Sequence, residues 1–361
     1  MKSEFLDISE KVLNGEPLSF EDGVVLFNHR DLLAVGQLAN VAAERLHGNV
    51  TYYNFNLHLN VTNVCEADCI FCSFARLEMG MPQAYVMTIA DALDWIQNRY
   101  RPGMTEIHIV NGLNPSLPFS YYADLVASIR EKFPSLHIKA FTAVEIHYFS
   151  KKFNLSYEDV LIRLMESGVK SLPGGGAEIF SERVRNKLCR GKATGDEWLE
   201  VHRVAHSLGL KSNCTMLYGT IETVEERVEH LLKLRELQER TGGFQAFVPL
   251  AFHAENNRLG KLKEPSAADD LRVMAVSRLM LHNIPHVKAY WVMLGIKTAQ
   301  IGLLFGANDL DGTVTEEKVY RMAGAKSPGS QSVEELNELI GAVGRVAVER
   351  NSLYEAVTCQ E

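Results

Sequence analysis

The chain has 361 residues, 46% of them hydrophobic, enough to bury a sizeable core within a single unit of α/β-barrel size. Lys and Arg number 37 against 45 Asp and Glu, a net charge of −8 with no basic patch, which argues against a nucleic-acid partner. Early acids in residues 1–7 speak against a signal peptide. The longest apolar region, 290–307, is broken by Lys297, Thr298 and Gln300, so no membrane span and a cytoplasmic setting are expected.

Residues 1–50 read as a helical extension, with apolar spacing at Val24, Val25 and Leu26 and again at Leu32, Leu33, Val35 and Leu38. From Thr51 short β-like runs alternate with amphipathic helical ones. The spacing predicts strands at 52–59, 106–110, 137–141, 170–172, 211–217, 245–250, 286–292 and 301–305. Helices are expected at 89–100, 121–133, 157–167, 196–208, 223–241 and 267–281. Thr88 and Asp91 mark a start, and Gly168 and Gly209 mark ends. A Gly/Ser/Pro loop at 325–330 precedes a last helix over 333–350. Eight such strands predict an α/β fold, a parallel (β/α) TIM-type barrel over 51–361 with its site at the strand C-termini. The alternative is an open barrel of six β/α units with an appended C-terminal region. The short fourth strand and the brief link from the seventh to the eighth are the weakest parts of the eight-stranded reading.

After the first strand, Cys65, Cys69 and Cys72 stand in a C-x3-C-x2-C spacing. Three thiolates this close can hold three irons of a 4Fe–4S cluster and leave the fourth open, whereas cluster sites normally use four cysteines. The vacancy suits the amino and carboxylate groups of S-adenosylmethionine. Structural zinc would want a fourth ligand, such as His58, and Cys189, Cys214 and Cys359 supply no second pair. A disulfide framework does not suit a long chain without a secretory signal. With Phe71 before the last cysteine, the motif resembles the radical SAM signature.

Other polar residues fall at predicted strand ends. Gly112 and Asn114, in the 111–115 segment after strand two, resemble the superfamily segment that binds the cofactor's amino group, although Asn111 stands where a glycine is usual. A plain turn explains the same composition. Glu145 follows strand three. Glu178 follows the Gly174–Gly175–Gly176 triplet, placed either to take ribose hydroxyls or to favour a helix N-terminus. Arg76, Arg185 and Arg190 are cations able to meet a carboxylate, Arg76 being nearest the cysteines. His202 and His206 share a helix face and read as structural. His253 after strand six and Asp309 after strand eight are candidates for proton transfer, Asp309 also for substrate contact. Asp311 reads as a turn residue.

The segments SLPGGGAEIF (171–180), WLEVHRVAH (198–206), CTMLYG (214–219) and GLLFGANDLDGT (302–313) together resemble the aminofutalosine synthase family, over about 57–328. The sister cyclic dehypoxanthinyl futalosine synthases and deazaflavin-forming F0 synthases share the cluster and the GGGAE segment, while RNKLCRGKAT (185–194) and GIKTAQ (295–300) favour the first family. The resemblance implies cluster ligation by Cys65, Cys69 and Cys72, and cofactor contacts from Phe71, Gly112, Asn114, Glu145 and Glu178. Substrate contacts are expected from Arg76, Tyr218 and Asp309. The implied substrate is the dianion 3-(1-carboxyvinyloxy)benzoate, an anionic aryl enol ether, and an electron donor must reduce the cluster. Addition of the 5′-deoxyadenosyl radical to the alkene, aryl migration and loss of a carboxylate would give 6-amino-6-deoxyfutalosine, consuming S-adenosylmethionine as a co-substrate.

Overall fold

The run 52–59, expected as one strand, folds as two. In the computed structural model, which describes residues 2–357, Val50–Asn54 (β1) and Asn56–Leu59 (β2) join different sheets on either side of Phe55. Every residue of β2 is buried, as a parallel strand covered on both faces requires. It starts a seven-stranded parallel sheet continued by Glu106–Ile109 (β3), His137–Ala140 (β4), Val169–Leu172 (β5), Lys211–Tyr218 (β6), Phe244–Ala251 (β7) and His286–Val287 (β8). Asp309–Gly312 (β9) and Val346–Glu349 (β10) flank β1 in a second, three-stranded sheet.

Two parallel bridges close the barrel. Lys288 pairs with Asp309, and Leu57 of β2 pairs with Thr315 just beyond β9. The Ala289 amide donates to the Asp309 carbonyl at 2.8 Å and the His58 amide to the Thr315 carbonyl at 3.0 Å. Residues 309–315 therefore form the eighth stave of a TIM-type α/β barrel.

Three expectations near the C-terminus are corrected. Residues 301–305 are no strand: the helix Ile296–Gly302 runs into them, and Gly302 sits hard under Met274, where a Cβ would come within 2.6 Å of its sulfur. A short apolar run does not distinguish a buried strand from a buried helix. Strand 286–292 shrinks to β8, because Trp291–Leu294 turns helical. The last helix ends at Gly341, and Gly344, at φ +76°, reverses the chain into β10.

Outer helices begin on Thr88, Thr142, Ser156, Thr194, Thr223 and Ser266, each with an acid three residues later that returns a hydrogen bond to the cap backbone. The helix Ala143–Phe153 was not among those read from the periodicity. At the N-terminus, Leu32–His47 packs on Ala267–Met280 and Phe20–Asn28 on Val224–Thr241. This covers the flank where the β8–β9 link provides only two short helices.

The bottom of the barrel is plugged by the chain after β10. Arg350 pairs with Asp309 at 2.7 Å, both side chains fully buried. Ser352 donates to Glu106, which holds Lys139 at 2.5 Å, and Tyr354 stacks on His286. With that end filled, the open space lies at the strand C-termini. Cys359 lies outside the described residues. Among the described residues no helix is long and apolar enough to cross a membrane.

Candidate active site

A cavity of about 320 Å³ opens at the C-terminal ends of the strands, and the loop after β2 forms one wall. Asn63 anchors this loop by donating to the Gln83 carbonyl and accepting from the Tyr85 amide. The Cys65 amide donates to the Arg76 carbonyl and the Arg76 amide to the Asn63 carbonyl, each at 2.8 Å. Further on, the Ile70 amide reaches Leu188 and the Arg258 amide reaches Ile70, tying the loop to the opposite rim. Cys65, Cys69 and Cys72 are free, half-buried thiols that all line the cavity. Burial pushes the Cys65 and Cys69 thiols up, so a metal centre must displace their protons on binding. Among the described residues no three His, Cys, Asp or Glu side chains are gathered around one metal ion. A mononuclear zinc site would need such a convergence. A cuboidal cluster instead takes each sulfur to a different iron, and three thiols on one short loop suit that donor arrangement.

Gly112 passes directly behind the loop. A Cβ there would lie 2.3 Å from the Val64 carbonyl oxygen, so only glycine lets these two backbones meet. Glu145 braces the same segment: its carboxylate accepts from the Asn111 backbone and side-chain amides at 3.1 and 3.2 Å, and from the Thr142 amide and hydroxyl at 2.8 Å. Burial pushes Glu145 up to about 7 against those donors. Glu178 also lines the cavity, pairs with Lys192 at 2.5 Å and holds a left-handed backbone at φ +48°. A non-glycine residue held there stores strain, of a kind that concentrates at functional sites. Lys192 in turn lies 5.6 Å from the centre of the Phe71 ring. His253 donates through Nε2 to the Met293 carbonyl at 3.0 Å, which places a proton on Nε2.

Of the residues singled out from sequence, Cys65, Cys69, Cys72, Phe71, Gly112, Glu145, Glu178 and His253 line this cavity. Four do not. The Arg76 guanidinium is occupied by the carbonyls of Ser73, Ala75 and Pro82 and the Gln83 side chain, clamping its own loop. Asn114 donates to Thr62 while its carbonyl takes the Tyr148 hydroxyl. Tyr218 is buried in the wall and donates to Asp270 at 2.7 Å. Asp309 is committed to Arg350, and it is Asp311, read as a turn residue, that reaches the cavity, paired with Lys288. Position along the strand explains the last exchange: Asp311 lies two residues nearer the C-terminal end where the cavity opens, past a register shift in the β1–β9 pairing, while Asp309 stays at the plugged end against Arg350.

Lys288, Lys192, Asn213, Thr215, His108, Glu317 and Tyr320 also line the cavity and were missed. A lysine inside the apolar run Val287–Ala289 was the readable signal, since a buried-strand lysine needs a partner. Glu317, pushed up to about 7 by burial, carried none.

Comparison with known proteins agrees with this geometry. Residues 59–234 match the Radical SAM superfamily and 241–361 the CofH/MqnC C-terminal region. Aminodeoxyfutalosine synthase of Thermus thermophilus is 47% identical, covering 98% of this chain and 95% of that protein. The protein of the same name from Streptomyces coelicolor is 43% identical, covering 97% and 93%. Among solved structures, methylornithine synthase superposes with a TM-score of 0.74 at 17% identity, covering 94% of this chain and 97% of that one, a likeness of fold. The chain belongs to the aminodeoxyfutalosine synthase family of the radical SAM superfamily.

Proposed function

We propose that the chain joins the adenosyl group of S-adenosylmethionine to 3-(1-carboxyvinyloxy)benzoate with uptake of water, releasing methionine and one carboxylate as bicarbonate and forming 6-amino-6-deoxyfutalosine. One observation carries this reading: the three thiols, Gly112 and Glu178 line a single cavity that also carries an apolar and aromatic wall of Leu217, Val248, Leu250, Phe252, Tyr290 and Tyr320. Cys65, Cys69 and Cys72 would hold the 4Fe–4S cluster. When bound, the cluster supplies the electron that cleaves S-adenosylmethionine and frees its adenosyl carbon to react.

The protein's share is position and exclusion of water. Gly112 brings backbone close to the cofactor's amino-acid end, with Asn111 held by Glu145. Glu178 offers carboxylate oxygens to the ribose hydroxyls. The apolar wall takes the arene and keeps the reacting alkene dry. At the mouth, His253 presents Nδ1 as the atom that can accept a proton. A cellular electron donor and a cytoplasmic setting belong to the same reading.

Anaerobic turnover with reduced protein and S-adenosylmethionine labelled in its adenosyl carbons tests it. Label in the adenosylated product is expected, and stoichiometric free 5′-deoxyadenosine would instead indicate the sister cyclase reaction. Iron, sulfide and S-adenosylmethionine cleavage should all disappear in Cys69→Ser. A protein that holds one zinc and never cleaves S-adenosylmethionine overturns the proposal.

A further inference from the structure

Beneath the cysteine loop the cavity ends on a charged floor for which the reaction above assigns no role. Lys288 and Asp311 form an ion pair there, their side chains 3% and 11% exposed. In the same floor His58 and His108 stack face to face, their centroids 4.6 Å apart and planes within 8°. Two atoms of this floor have no hydrogen-bond partner: Nε2 of His58 and Oδ1 of Asn213, in side chains only 7% and 5% exposed. Buried polar groups are ordinarily satisfied, and leaving one bare is costly. Both side chains belong to residues that line the cavity beside a cation, and an anionic ligand drawn to that cation would give the His58 nitrogen its missing partner.

We propose that this floor receives the ring carboxylate of the substrate, with Lys288 shared between that carboxylate and Asp311, and His58 donating a hydrogen bond through Nε2. The inference rests on the substrate class given under Proposed function and assigns its orientation. The reacting alkene must lie at the cysteine end, so the carboxylate attached to it stays there, near Lys192. The arene is rigid and carries its own carboxylate away from that end, towards Lys288. A lysine ammonium has three donors and can serve two carboxylates at once. Turning the Asn213 amide presents its NH2 to the incoming anion. The other carboxylates lining the cavity are engaged, Glu178 by Lys192, Glu145 by Thr142 and Asn111, and Glu317 by the Val319 and Tyr320 amides, and below the cavity Glu106 is held by Lys139 and Ser352.

A cycle of substrate and protein changes tests the assignment. The cluster-loaded enzyme is assayed with the full substrate and with 2-phenoxyacrylate, which lacks the ring carboxylate, in wild type and Lys288→Met. For wild type, losing the carboxylate should raise KM by about 10- to 100-fold, the range for a hydrogen bond to a charged group. Lys288→Met should raise KM for the full substrate by a similar factor and leave KM for 2-phenoxyacrylate nearly unchanged. Multiplying effects, or equal KM for the two substrates in wild type, would overturn the proposal. If Lys288→Met does not fold, His58→Gln, which leaves the Lys288–Asp311 pair in place, takes its position with a smaller expected rise. Calorimetric binding of benzoate against benzyl alcohol needs no turnover. Preference for benzoate that vanishes in the variant supports the subsite even if the adenosylated product is never formed, and equal binding of the two probes refutes it.

Discussion

Gly112→Ala tests how the cofactor end of the site is built. The added methyl would sit 2.3 Å from the Val64 carbonyl oxygen, 2.9 Å from the Val64 carbonyl carbon and 3.0 Å from that of Asn63. A carbon normally approaches a carbonyl oxygen no closer than about 3.3 Å, so roughly 1 Å must be found. None of these atoms ends a side chain that could swing aside. The segment is held on both sides, by the Gly112 amide on the Thr62 carbonyl at 3.0 Å and the Glu66 amide on the Leu113 carbonyl at 3.0 Å. The displacement therefore passes to Cys65, next to Val64. Overpacking of this kind costs about 1–3 kcal/mol of stability, and a 1 Å misplacement at a reacting centre costs about 100-fold in rate. Gly191→Ala is the control, because its Cβ would meet only Ala67 Cα at 3.9 Å. Reductive S-adenosylmethionine cleavage, iron content and thermal midpoint should be measured for both. Cleavage within about threefold of wild type in a cluster-loaded Gly112→Ala protein would refute the close-approach reasoning.

Two further outcomes follow from charges outside the cofactor end. Arg350→Met leaves Asp309 buried without its cation and should cost about 3–5 kcal/mol in equilibrium unfolding, whereas Arg203→Ala at the exposed Glu200 pair should cost less than about 1 kcal/mol. Equal losses would contradict the plug at the barrel bottom. Glu226 is drawn down to about 2 by its hydrogen bond from Arg183, against burial and with help from Ser181. Its folded-state pKa is depressed, so its contribution is full above the ordinary value of 4.5 and lost as pH falls towards about 2. The stability gap between wild type and Glu226→Gln should close over that window, and a gap that stays constant down to the acid end would rule out the linkage.

Part of the cavity lining was legible in the sequence. Cys65, Cys69 and Cys72 are close along the chain, so local spacing alone brings them to one wall. Gly112, Glu145 and Glu178 were readable because polar residues at strand ends converge once a parallel barrel closes. Arg76 and Asn114 show the limit of proximity along the chain: both are near the cysteines, and both spend their polar groups on the loop's own backbone. Tyr218 shows the same limit on a strand, where its hydroxyl went to a helix residue, Asp270.

The eighth stave marks the division. Alternating strand and helix patterns, the capping residues and the three cysteines lie within local windows, and they determined the barrel class and the cysteine loop. The interior was decided by register between distant segments. Pairing of Leu57 with Thr315 and of Lys288 with Asp309 places Asp311 in the cavity and Asp309 against Arg350, a choice that two aspartates two residues apart do not announce. The floor formed by His58, His108, Lys288 and Asp311 is assembled from strands β2, β3 and β9 and the residue after β8, up to about 250 positions apart in the chain. Only closure of the barrel brings these groups together, because burying opposite charges is favourable only once each has the other as partner.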